Sequence, residues 1–430
     1  MLLFFLCGLL VAGSIAIHGL MAGYYPILKT SNHRYDAQIM KQVTYPIYRS
    51  GPYFTSSSTQ TADSNSSNYP NYYVRVMQTK TTKTGTYAKL RYFNQIIGWM
   101  NVKGLKSVSL SQIAQATMKQ YDVSGSAILA SAGSKHIVTV NNGFANAAKK
   151  IASQGDGSVL YPLASLQKAM TAAIVQQLIT SGKLSPTTKL STYYPQIKGS
   201  SGITIRAMLS MTSGLDNADT TPAKAMTESQ AYASMLKQLN ATGQTAYNYS
   251  DANYVLLAGI IAKVTKQSYT TNLQNRIINR LGMKNTRIIG NQSIDTSMVA
   301  LSYSRKGESD YSKPQKVSLP RLSAIPGAGN LLTTPSDYYK FILGLQNGSV
   351  LTAAQYRQLT SYGTVYSGGM YVGQKGVKYN NGSFSGQGFH TGYYATTGNY
   401  HMAIVFENQA PLTLSAGDFV KKMYQVATYY

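Results

Sequence analysis

Ser165 and Lys168 stand three residues apart in the run Tyr161-Pro162-Leu163-Ala164-Ser165-Leu166-Gln167-Lys168. On a helix that spacing puts both side chains on one face, within touching distance. A serine hydroxyl becomes a useful nucleophile only when a neighbouring base takes its proton, and a lysine serves as that base when burial or a helix N-terminus pulls its pKa down. Pro162 stands where helices tend to begin, which predicts Ser165 in the first turn with its own amide free to bind a developing oxyanion. Leu166, Met170, Ile174 and Leu178 recur every four residues and predict the core stripe of that helix, with Ser165 and Lys168 on an adjoining face. A Ser-x-x-Lys pair alone is a common coincidence and reads far more often as a solvated helix end. Its meaning depends on what the rest of the chain places around it.

The chain has 430 residues, 43% of them hydrophobic, enough for one large domain and a small one. Its 39 Lys and Arg against 14 Asp and Glu give a formal charge of +25, which favours polyanionic surroundings: nucleic acid, anionic lipid or cell-wall polymers. The basic residues are spread along the chain and no nucleic-acid motif occurs, so nucleic acid is not an expected partner. Cys7 is the only cysteine, which rules out a disulfide framework and a Cys-based metal site. The five histidines lack ligand spacing, and no metal or cofactor is expected. Residues 1–23 carry no Lys, Arg, Asp or Glu and are long enough to span a bilayer. They predict a signal anchor or signal peptide, and hence an extracytoplasmic protein, membrane-anchored or secreted and wall-associated.

Residues 24–107 read as a small all-β module. Residues 72–78, 86–93 and 95–102 cluster β-branched and aromatic side chains between Gly85, Asn94 and Gly104, and residues 55–68 are almost all Ser, Thr, Asn, Gln and Asp, a loop composition. From residue 108 the pattern changes. Residues 109–121 predict an amphipathic helix opened by a Ser109/Gln112 capping box, and 126–130 with 136–140 predict a hairpin. Residues 402–407 predict a further strand and 416–424 a closing helix, so 108–430 reads as one α+β domain.

Beyond the Ser165 helix come Leu209-Ser210-Met211-Thr212-Ser213-Gly214-Leu215, Tyr249-Ser250-Asp251, Leu281-Gly282-Met283, Pro326-Gly327-Ala328-Gly329 with Thr334-Pro335-Ser336-Asp337, and His390-Thr391-Gly392. In that order the series resembles the penicillin-binding protein and class C β-lactamase-like serine hydrolases, over roughly residues 110–430. Residues 86–93 followed by Gly98-Trp99 and Lys103-Gly104-Leu105 resemble the SH3-like GW modules of Gram-positive surface proteins. The resemblance implies an antiparallel sheet packed with helices plus an inserted helical subdomain. It makes Ser165 the acylated nucleophile, Lys168 its base or proton relay, and Tyr249 a phenol shared between nucleophile and leaving group. It also places His390, Thr391 and Gly392 on the strand edging the cleft, where the Tyr393 amide would be the second oxyanion donor. Trp99 would touch cell-wall or teichoic acid polymers, its plainer reading being a core aromatic. Asp251 replaces the Asn of the family's Tyr-x-Asn motif, so an amide has become a carboxylate that can pair with Lys168 and hold it charged, or select an amine-bearing substrate.

Two substrates suit this frame: D-alanine esterified to teichoic acid, and the D-Ala-D-Ala end of peptidoglycan stem peptides. The alternatives are a β-lactamase, and a binding protein whose hydrolase domain is degenerate.

Overall fold

A computed structural model describes residues 25–430 except positions 43, 52–53, 55–61, 219, 291, 306, 308–309, 374–375, 385 and 387. The hydrophobic span expected over residues 1–23 lies outside the described residues, among which no helix is long and apolar enough to cross a membrane. The chain divides into two compact units, one of residues 1–113 with Tyr429–Tyr430, the other of residues 114–428.

The first unit is an eight-stranded antiparallel sheet. Its main strands are β1 (Tyr35–Ile39), β2 (Pro46–Tyr48), β3 (Tyr73–Thr82), β4 (Gly85–Tyr92), β5 (Gln95–Asn101) and β6 (Leu105–Ser107), in the spatial order β2-β5-β4-β3-β1-β6. Alternate residues point inward, as period-two burial requires: Val74 and Val76 on β3 meet Ala88 and Leu90 on β4, with Ala37, Ile39 and Met100 completing the core. Trp99 is only 5% exposed and meets the Phe54 ring edge-on with centroids 4.9 Å apart, beneath the Lys80 ammonium 5.1 Å away. The expectation that Trp99 itself touches wall polymer is therefore corrected. Its ring is packed inside the module, against Phe54 and beneath the Lys80 ammonium.

The second unit is built on a seven-stranded antiparallel sheet. Its strands are β7 (Ser124–Ala130), β8 (Ile137–Asn142), β9 (Tyr366–Ser367), β10 (Met370–Val372), β11 (Val377–Phe384), β12 (Phe389–Thr396) and β13 (Met402–Gln409), ordered β8-β7-β13-β12-β11-β10-β9. Helix α1 (Leu110–Gln120) leads into β7, and its capping box forms as expected: Ser109 Oγ accepts from the Gln112 amide while Gln112 Oε1 accepts from the Ser109 amide. Between β8 and β9 lie the helices that carry the chemistry. Helix α2 (Lys168–Thr180) is buried at nearly every position and packs on α3 (Asp251–Thr265), which is apolar all round and N-capped by Ser250. A short α4 (Leu319–Ser323) follows, and α5 (Ala416–Tyr429) closes the chain, burying Phe419, Val420 and Met423.

Candidate active site

Ser165 sits in a tight 3-10 turn, Ala164–Gln167, that runs directly into α2 at Lys168. The residue before the nucleophile, Ala164, is held at φ +51°, a left-handed conformation that costs an alanine on the order of 1–2 kcal/mol. Such strain persists where the surroundings force it. Here the force is close packing: a Cβ on Gly382 would lie 2.9 Å from both the Leu163 carbonyl oxygen and the Ala164 Cβ, so only glycine lets β11 approach the turn. Gly369, at φ +85°, does the same for the start of α2, where an added Cβ would meet Ala169 N at 2.3 Å.

Lys168 is fully buried, and its Nζ meets three acceptors: Ser165 Oγ at 2.8 Å, the Ala328 carbonyl at 3.1 Å and Asp251 Oδ1 at 2.7 Å. Those three satisfy the three donors of an ammonium. Burial pushes the Lys168 pKa down, but the Asp251 carboxylate and the Tyr249 phenol push it up and prevail, so the resting lysine is protonated. Asp251 opens α3, where the helix dipole favours a negative charge, and is 30% exposed to the cleft. Tyr249 places its ring 4.9 Å from Lys168 Nζ. Burial raises its phenol pKa against the opposing pull of Lys168, and its hydroxyl, near both Lys168 and Ser165, makes no well-formed hydrogen bond. The cleft of about 310 Å³ in front of Ser165 is also lined by Arg321, Tyr371, Asn381, Ser383 and Phe384. Ser165, Lys168, Tyr249 and Asp251 thus converge.

His390, Gly392 and Tyr393 do not join them. All three lie on β12, an interior strand paired along one edge with β11 and along the other with β13. The Tyr393 position is paired both with Asn380 and with Ile404, so its amide belongs to the ladder and cannot serve an oxyanion. A Cβ on Gly392 would lie 2.2 Å from Val420 of α5, so this glycine makes room for the closing helix on the sheet face away from the nucleophile. His390 shares that face. It is 16% exposed, burial presses its pKa down to about 4, and its Nδ1 lies 4.0 Å from a carboxylate oxygen of the fully buried Glu407 without a hydrogen bond. Only Thr391 reaches toward the site, its Oγ1 donating to the Leu163 carbonyl at 2.9 Å.

The strand that edges the cleft is β11. Beyond Lys378 and Tyr379 it has no partner strand on the β10 side among the described residues, and this edge faces Ser165. Asn380 Nδ2 donates to the Ser165 carbonyl at 3.2 Å and to that of Gly369 at 2.7 Å, while Asn381 and Ser383 line the cleft. The motif Asn380-Asn381-Gly382 holds the place expected for His390-Thr391-Gly392. The signal that could have revealed it is order: the strand nearest the nucleophile must precede two further strands of the sheet, and only one strand follows His390.

The family described as Beta-lactamase matches residues 110–416, more than half of the chain, and the GW (Gly-Tryp) dipeptide domain matches residues 29–106. The chain belongs to the β-lactamase family. PbpX of Bacillus subtilis strain 168, named as a penicillin-binding protein, is 29% identical over 295 residues, 67% of this chain and 70% of that protein. A teichoic acid D-alanine hydrolase of Staphylococcus aureus is 26% identical over 244 residues, 55% of this chain and 59% of that protein. Among solved structures, FmtA from Staphylococcus aureus covers 75% of this chain and 88% of its own with a TM-score of 0.63 at 20% identity. A D-amino acid amidase from Ochrobactrum anthropi covers 74% and 96% with a TM-score of 0.63 at 19% identity. These likenesses establish the sheet-and-helix fold of the second unit.

Proposed function

We propose that the protein is an extracytoplasmic serine hydrolase that releases D-alanine from its ester linkage on teichoic acid. The observation that carries this reading is Asp251: a partly exposed carboxylate in the cleft, bound to the buried Lys168, which in turn binds the nucleophile Ser165. One carboxylate oxygen holds Lys168, and a second is available to the free ammonium of an esterified D-alanine, a group that a D-alanyl residue in peptide linkage lacks. Similarity to a teichoic acid D-alanine hydrolase and the match to a GW domain support the same choice.

The proton path follows from the resting charges. Lys168 already carries its proton, so it cannot accept that of Ser165 unless it passes one on. As Ser165 Oγ attacks the ester carbonyl, its proton moves to Nζ while a proton of Nζ moves to Asp251, leaving a neutral carboxylic acid and an ammonium. The tetrahedral oxyanion is held by the Ser165 amide together with the free edge of β11 at Ser383, the residue after Gly382. Collapse expels the alcohol, which takes a proton from Lys168 as Asp251 returns its own to Nζ, or from Tyr249, which Asp251 then reprotonates through Lys168, so that Asp251 is a carboxylate again. Water then repeats the sequence on the acyl-enzyme.

The test uses purified protein with a Ser165→Ala control, incubated separately with D-alanylated lipoteichoic acid and with pentapeptide muropeptides, and quantifies released D-alanine. Release from lipoteichoic acid that depends on Ser165 is the expected result. Release from muropeptides alone would make the enzyme a D,D-carboxypeptidase, and absence of release and of any acyl-enzyme by intact mass would leave a binding protein.

A further inference from the structure

Two of the acceptors of the Lys168 ammonium, Ser165 and Asp251, are set by helical turns, whereas the third, the Ala328 carbonyl, lies on a loop, residues 326–330. A carbonyl on a loop keeps its aim only where the loop is held. The amides of Ala328 and Gly329 both donate back to the Ile325 carbonyl, at 3.0 and 3.1 Å. Gly327 is held from two sides: its carbonyl accepts from Thr171 Oγ1 at 2.7 Å, and its amide donates to Asn330 Oδ1 at 3.3 Å. At φ +82° it lies so close to α3 that an added Cβ would meet the Ala258 Cβ at 2.7 Å. Thr171 is fully buried and stands three residues beyond Lys168 on α2, so the two side chains share a helix face and hold the same loop. Because the Thr171 hydroxyl proton goes to Gly327, the buried Tyr269 phenol must donate to Thr171, 2.7 Å away, and it accepts in turn from Gln167 Nε2 at 3.3 Å. The other proton of that amide goes to Asn330 Oδ1 at 2.7 Å, which closes a ring of buried hydrogen bonds. No charged side chain belongs to the ring, and the titratable groups that act on Lys168 remain Asp251 and Tyr249.

We propose that Thr171 is a positioning residue for the acylation of Ser165: by fixing the Gly327–Ala328 peptide it keeps the Ala328 carbonyl aimed at Lys168 Nζ. The three donors of an ammonium stand at fixed angles to one another, so an acceptor that holds one of them orients the other two. Here the other two point at Ser165 and Asp251, the ends of the proposed proton path. A loop released from Thr171 lets the ammonium turn away from that path and removes part of what stabilises its charge. The inference rests on Ser165 as nucleophile and Lys168 as its relay, and not on the choice of a teichoic acid ester as substrate.

Three variants of the full chain test this. Thr171→Val keeps the shape and loses the hydroxyl, Thr171→Ser keeps the hydroxyl, and Tyr269→Phe breaks the ring without touching Gly327. Acylation of Ser165 by the neutral ester p-nitrophenyl acetate, followed by nitrophenolate release and intact mass, is expected to slow about tenfold or more in Thr171→Val with little change in KM. It should return to within about threefold of the parent in Thr171→Ser and stay near the parent in Tyr269→Phe. The charge of Lys168 is read without turnover, from the pH titration of the Cε resonance of isotope-labelled lysine, assigned with Lys168→Met. Weakening an acceptor of the charged form lowers the lysine pKa, by about one unit in Thr171→Val, and this readout stands even where the parent neither releases D-alanine nor takes up acetyl. Unchanged titration in Thr171→Val, whatever its melting temperature, overturns the proposal and leaves the ring a packing device. Equal effects in Thr171→Val and Tyr269→Phe trace the change to lost stability and overturn it as well. Should Thr171→Val not fold, Thr171→Cys, whose thiol is a weak donor, is read for the same two changes.

Discussion

On the proposed reading, the carboxylate of Asp251 decides how Ser165 is activated. An asparagine at this position would leave Lys168 buried with no anionic partner, and burial would then press its pKa down. Asp251→Asn removes the acceptor of the Lys168 proton, so the variant works only with Lys168 neutral: kcat/KM is expected to fall at neutral pH and to recover as rising pH deprotonates the lysine. The same change removes the proposed ammonium contact. Preference for D-alanyl esters over their N-acetylated counterparts is expected to drop about tenfold, the loss of one charge-assisted hydrogen bond. A pH profile that does not move would mean that Asp251 does not govern the proton on Lys168. Unchanged preference with a shifted profile would separate its proton role from its substrate role.

At the scale of elements, β11 and β12 divide the work differently from their letters. Gly382→Ala is expected to cost at least about 100-fold in kcat with little change in overall fold, because the added methyl would push β11 off the turn that holds Ser165 and withdraw an oxyanion donor. Steady-state kinetics beside a thermal melt checks this. The β12–β13 pair makes a different prediction. Glu407 is fully buried without a hydrogen-bond partner among the described residues, and burial raises its pKa well above the usual carboxylate range. A group raised in this way contributes stability below its unfolded pKa of about 4.3 and loses it as pH rises through the folded value. His390, lowered to about 4, works the other way: its contribution is lost as pH falls below about 6.5. Glu407→Gln, which cannot ionise, should melt above the parent at pH 8, with the gap closing toward pH 4. A variant that melts lower at pH 8 would show that Glu407 is ionised and stabilising in the fold.

These two strands also mark what could be read from residue letters. The Ser165–Lys168 pair was legible because its spacing is local, and a helix brings residues three apart together wherever it lies, whereas Tyr249 and Asp251 were legible only through the ordered resemblance to the family. Membership of a cleft edge is not local. Asn380-Asn381-Gly382 and His390-Thr391-Gly392 both end in a glycine on a strand of alternating pattern, and which strand meets Ser165 depends on sheet order. The letters His-x-Gly favoured the wrong one. Trp99 illustrates the same limit within the β module: its identity signals importance, but only packing against Phe54 tells core from contact.

For the molecule as a whole, the proposed esterase reading makes the charge of +25 bear on turnover. Each D-alanyl ester on a teichoic chain carries an ammonium that offsets one phosphate, so hydrolysis leaves the polymer more anionic than before. A strongly basic protein then binds its product more tightly than its substrate, through long-range attraction that salt screens over about 10 Å at 0.1 M. Release of the stripped polymer should limit turnover at low ionic strength. Raising salt from about 0.02 M to about 0.2 M is expected to increase both KM and kcat on lipoteichoic acid, whereas hydrolysis of D-alanine methyl ester should respond little. Lipoteichoic acid stripped of D-alanine should inhibit more strongly than the alanylated polymer, and the difference should shrink with salt. If the two polymers inhibit equally at low salt, the positive surface does not sense the charge that the reaction changes.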